Sequence, residues 1–165
     1  MISKLARFDD ALIERVFQPL ADSIMDRFGI DRFRAACFCL DAASIAWILS
    51  QAGVLGDAVT QWNAGVAFLR LLLLILGLAS LTSLRSLFRR VSGSRRANPL
   101  RPAMLPHRGA VLVLLVAQLA QLDGVATLAE LAMLSSVACA LYLSACAPRP
   151  PAHRRAAWWA EARSG

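Results

Sequence analysis

The chain has 165 residues, of which 58% are hydrophobic, above the roughly 45–50% of ordinary soluble domains. That length suits one domain and leaves little room for two. The apolar residues fall in blocks, which points to a bilayer rather than a large soluble core, and the net charge of +7 is placed unevenly along the chain.

The segment 1–34 reads as amphipathic. Leu5, Phe8, Leu12, Val16, Leu20, Ile24 and Phe28 recur at three- and four-residue steps, the helical period, with acids and arginines between them. Pro19 disfavours helix at Gln18 and predicts two short helices or a kink. No part of this segment is apolar for long enough to span, and it lacks the apolar stretch of a signal peptide. An exposed apolar stripe is costly in water, so Leu12, Val16 and Leu20 are expected to bury against membrane or a partner.

Four apolar stretches follow, at 35–55, 64–84, 109–122 and 125–147. The first two are close to the roughly 20 residues that a bilayer core requires. The last two would be far too long as one helix, and Asp123-Gly124 supplies a turn signal that splits them into a hairpin. Between the second and third stretches, residues 85–108 form a basic segment whose glycines, serines and prolines predict a loop. Pro148, Pro150 and Pro151 end the fourth stretch, and 148–165 is a tail.

Orientation follows from the arginines. The N-terminal segment carries six basic residues, the middle loop seven and the tail four, while the two remaining connections carry none. Positive charge favours the cytoplasmic side, so both termini and the long loop are placed inside. The sequence thus predicts an all-α, integral membrane four-helix bundle preceded by an N-terminal amphipathic interfacial helical segment. Its arginine-, alanine- and leucine-rich composition suggests a GC-rich bacterial genome and an inner-membrane setting.

Three ionisable residues lie within the apolar stretches: Asp41, Arg70 and Glu130. Each costs a few kcal/mol or more at mid-bilayer, on the order of the insertion scales, so each is expected to face protein, water or an interface. Asp41 lies ~10 Å from the inner boundary at the helical rise, with Ser80 and Ser83 in the same third of the membrane. Hydrogen bonding to a serine and proton carriage are the two readings of that carboxylate. Depth counted from the span starts puts Arg70, Glu130 and Gln118 in one outer layer, and Arg70 is expected to pair with Glu130. Snorkelling of Arg70 to the headgroups is the competing account.

Ala132, Ser136, Ala140 and Ser144 form a small-residue stripe that permits close helix approach, against Ala42 and Ala46 of the first span or against another protein. Arg89, Arg90, Arg95 and Arg96 are expected to meet anionic lipid headgroups. The arginine cluster has no interleaved aromatic set, so nucleic acid is not an expected partner.

Cys37, Cys39, Cys139 and Cys146 lack metal spacing and read as small apolar residues. His107 and His153 lie outside the spans and Met133 lacks an obvious partner, so neither haem nor metal is expected. No phosphate loop, metalloprotease motif or nucleophile elbow appears. The expected role is a non-enzymatic inner-membrane accessory or scaffolding subunit, bound to lipid and to another membrane protein or a second copy. The alternative is a small transporter or channel component using Asp41, Arg70 and Glu130.

Overall fold

The computed structural model describes residues 2–60, 63–91, 100–120 and 125–147, and every element among them is helical. Helix α1 (Ile2–Leu12) runs through one π-helical turn (Ile13–Phe17) into α2 (Gln18–Phe28). Pro19 falls at the start of α2, directly after the π-helical turn, and that widened turn accommodates a residue without an N–H in a continuing helix. The break expected at Pro19 is therefore a widened turn, and α1 continues into α2 without an intervening loop. At 3.6 residues per turn, side chains four apart drift around a helix, and an i→i+5 turn absorbs part of that drift. Asp9, Ile13 and Ala21, spaced by fours and eights, accordingly share one buried face. The apolar stripe read from sequence lies beside that face: Val16 and Leu20 are 51% and 43% exposed within the chain.

Helix α2 ends at Gly29, whose φ of 64° is a left-handed cap that glycine adopts without steric cost, and its N–H donates to the Met25 carbonyl. Among the described residues, three helices are long and apolar enough to cross a membrane: α3 (Arg32–Thr60), α4 (Ala64–Val91) and the Leu128–Ala145 part of α7 (Val125–Ala145). Two shorter elements, α5 (Leu100–Ala103) and α6 (Leu105–Leu119), precede α7. Helix α4 starts where the sequence places it but continues seven residues further, so Arg85, Arg89 and Arg90 are helical rather than in a loop. Helix α6 begins inside the expected loop, with Pro106 in its first turn.

Helix α3 is the central element. It packs along both α7 and α4, and α6 packs on the far side of α7. The start of α3 meets the end of α7, where Arg32 Nη1 donates to the Cys146 carbonyl, so these two helices are antiparallel. The hydrophobic core sits at this same end of the molecule. Ile13, Phe33, Ala36, Leu40, Phe88, Leu100 and the run Ala140–Leu143 converge there. Toward the other end, large apolar side chains such as Phe68, Ile75, Val113 and Leu128 stand exposed, an arrangement that burial in water does not explain but an apolar solvent does.

Helices α3 and α4 approach closely at Gly77. A Cβ there would lie 2.2 Å from Trp47 Nε1, so only glycine leaves room for the indole. Trp47 Nε1 donates to the Leu74 carbonyl at 3.4 Å.

Candidate functional site

The largest fully buried side chain among the described residues is at the core end. Arg108, 1% exposed, lies in the first turns of α6 and reaches Asp9 of α1. Its Nε donates to Asp9 Oδ1 and Oδ2 at 3.0 and 3.2 Å, and its Nη2 donates to Oδ2 at 2.5 Å. Tyr142 of α7 adds a third donor, its hydroxyl 3.0 Å from Asp9 Oδ1. Phe17 stacks on the Tyr142 ring at 4.7 Å between centroids. Arg108 Nη2 also donates to the Arg101 carbonyl at 3.0 Å. A planar guanidinium and a carboxylate matched in this way make a strong, directional pair.

Around this knot, Arg101 bonds Asp10 at 2.8 Å and Glu14 at 3.3 Å. Its pKa is raised above the ordinary arginine value, chiefly by the hydrogen bond to Asp10, with burial opposing and Glu14 adding. Gln18 closes the other end of the segment, accepting from the Ala147 N–H at 2.9 Å. The N-terminal segment is thereby fastened to α5, α6 and the end of α7. Sequence reasoning counted Arg108 only as one of seven loop arginines and did not single out Asp9 or Tyr142. The one available signal was the placement of an acid, Asp9, one residue beyond the apolar Phe8 on the amphipathic segment.

The second constellation lies between α3 and α4. Asp41 Oδ1 is 2.8 Å from Arg85 Nη1. Neither Ser80 nor Ser83 serves Asp41, because their hydroxyls donate to the carbonyls of Leu76 and Ala79 in their own helix. A cavity of 340 Å³ opens beside the ion pair, lined by Phe33, Arg34, Cys37, Phe38, Asp41, Arg85 and Arg89.

Arg70 and Glu130 are not brought together. Arg70 Nη1 lies 3.5 Å from Oε1 of Gln51, a 2%-exposed residue of α3. Glu130 Oε2 accepts from Gln118 Nε2 at 2.6 Å. Counting depth correctly matched Gln118 with Glu130, but depth says nothing of which helix lies between. Helix α3 separates most of α4 from α7, so Arg70 meets an amide of α3 instead.

The small-residue stripe divides along its length. Ala140 and Ser144 are fully buried, Ser136 is half-buried and Ala132 is exposed. On α3 the buried face is Ala36, Leu40 and Ala43, whereas Ala42 is exposed and Ala46 half-buried. Arg89 and Arg90 are exposed on the last turn of α4, while Arg95 and Arg96 lie outside the described residues. His107 and Met133 contribute to no metal-holding group among the described residues, and His153 lies outside them. Comparison with protein-family models, with curated proteins and with solved structures returns no match.

Proposed function

We propose that the chain is a four-span protein of a bacterial inner membrane, with both termini cytoplasmic, that serves as a non-enzymatic accessory or scaffolding subunit of a larger membrane assembly. The helix directions support four crossings. The start of α6 lies beside Tyr142 near the end of α7, and Gln118 near the end of α6 lies beside Glu130 near the start of α7. Helix α6 therefore runs antiparallel to α7 for most of its length. Its 15 residues rise only ~22 Å, less than the roughly 30 Å hydrocarbon core, which a locally thinned bilayer accommodates.

The observation that carries the scaffolding reading is the separate satisfaction of the intramembrane charges. Asp41 pairs with Arg85 and Arg70 with Gln51 across α3–α4, while Glu130 pairs with Gln118 across α6–α7. A transport path needs polar groups in one connected series, and these are three separate contacts divided between two interfaces. The N-terminal segment has two apolar faces, one fastened to the core and one exposing Phe8, Val16, Leu20, Met25 and Phe28. The exposed face suits the membrane interface or a partner. Helix α4, which has α3 as its one extensive neighbour, leaves room for lipid and for another membrane protein or a second copy.

Affinity purification in mild detergent after cross-linking in intact membranes tests this. A stoichiometric membrane partner, lost when Val16 and Leu20 are both changed to Asp, supports the reading. A chain that purifies alone and carries an ion flux in liposomes, abolished by Asp41→Asn, favours the transporter alternative.

A further inference from the structure

The cavity between the inner ends of α3 and α4 has features that the pairing of Asp41 leaves unexplained. Arg34, Cys37, Phe38 and Asp41 recur at three- and four-residue steps, so they share one face of α3. Arg85 and Arg89, four apart, face them from α4. The lining carries three arginines, Arg34, Arg85 and Arg89, and the carboxylate of Asp41. Asp41 pairs with Arg85 through Nη1. Arg85 Nε, on the other edge of the guanidinium, is buried and has no hydrogen-bond partner among the described residues. A buried donor without an acceptor is costly, and more so when it belongs to a charged group, so the site calls for an anion.

The surroundings say which kind. Phe33 and Phe38 give the cavity an apolar wall, with Phe38 62% exposed. From Phe38 an exposed apolar stripe runs up α3 through Ile45 and Leu49, seven and eleven residues on. A cationic recess at the inner end of two apolar helices, continuous with a greasy track along one of them, matches a phosphate attached to acyl chains. We propose that this cavity holds the headgroup of one anionic phospholipid of the inner leaflet. The phosphate bridges Arg85 Nε with Arg34 and Arg89, and an acyl chain lies along Phe38, Ile45 and Leu49. The proposal rests on the membrane orientation given above, though not on the scaffolding role.

The test is native mass spectrometry of the full chain in detergent, titrated separately with phosphatidylglycerol, phosphatidylcholine and glycerol phosphate. Wild type should retain one phosphatidylglycerol in preference to phosphatidylcholine. Arg85→Gln should weaken that retention about tenfold, and Asp41→Asn should preserve or strengthen it by removing the competing carboxylate. Arg15→Gln, an exposed arginine outside the cavity, should leave it unchanged. Circular dichroism confirms that each variant keeps its helices, and if Arg85→Gln does not fold, Phe38→Asp provides the same loss through the acyl track. Equal retention by wild type and Arg85→Gln, or by the two lipids, overturns the site. Glycerol phosphate bound as well as the lipid shows a free-phosphate site and overturns the acyl track. Because the isolated chain is used, failure here leaves the partner experiment untouched, and failure to find a partner leaves the lipid result standing.

Discussion

Asp9 and Arg108, 99 residues apart in the chain, form a bidentate ion pair that is almost wholly buried, with the Tyr142 hydroxyl bonded to the same carboxylate. Their side chains are 6% and 1% exposed. The pair joins three elements, α1, α6 and α7, that the sequence separates widely. It thus fastens the N-terminal segment to the helices at the core end of the molecule.

Removing one partner strands the other. Asp9→Ala should destabilise the detergent-solubilised protein by about 3–5 kcal/mol, the range for an uncompensated buried charge. Asp9→Leu combined with Arg108→Leu should recover part of the loss. Equilibrium unfolding followed by tryptophan fluorescence reads this, together with protease sensitivity of the N-terminal segment. Strictly additive losses would show that the two side chains act independently.

The contact between Trp47 and Gly77 is a steric one. Gly77→Ala places a methyl group where the indole stands, and should destabilise the α3–α4 hairpin by about 1–3 kcal/mol through overpacking. Adding Trp47→Ala should relieve the clash, leaving only the cost of the lost indole. A Gly77→Ala protein as stable as wild type would mean that the helices are further apart than described.

Arg70 and Glu130 should behave as strangers. The losses from Arg70→Leu and Glu130→Leu should add within about 0.3–0.5 kcal/mol, as for distant sites, whereas Arg70→Leu and Gln51→Leu should couple. The same unfolding assay distinguishes them. Coupling between Arg70 and Glu130 would contradict the placement of α3 between α4 and α7.

Much of this architecture was legible in the sequence. The all-helical class, the start of α4 and the span of α7 follow from long apolar runs and their turn signals, because such patterns are set locally. The beginning of α6 was obscured because Pro106 looks like a loop residue, while a proline in the first turn of a helix is equally natural. The partners of the charges were harder, since they depend on which helices touch. The α3–α4 contacts nest around the Thr60–Asn63 connection: Gln51 with Arg70, then Trp47 with Leu74 and Gly77, then Asp41 with Arg85. An antiparallel hairpin read in this way would have led from Asp41 to Arg85 once Arg85 was allowed to be helical. No such local rule leads to Asp9, Arg108 and Tyr142, whose meeting depends on long-range packing.

Sidedness is the most direct test of the central claim, that four helices cross the membrane with both ends inside. A periplasm-active reporter is inserted, in separate variants, after Asp57, Gly93 and Asp123 and fused after Gly165. Four crossings predict activity at Asp57 and Asp123 and none at Gly93 or at the C-terminal fusion. Activity at Gly93 would invert the first hairpin. Activity at the C-terminal fusion would mean that α6 does not cross, and would contradict the account.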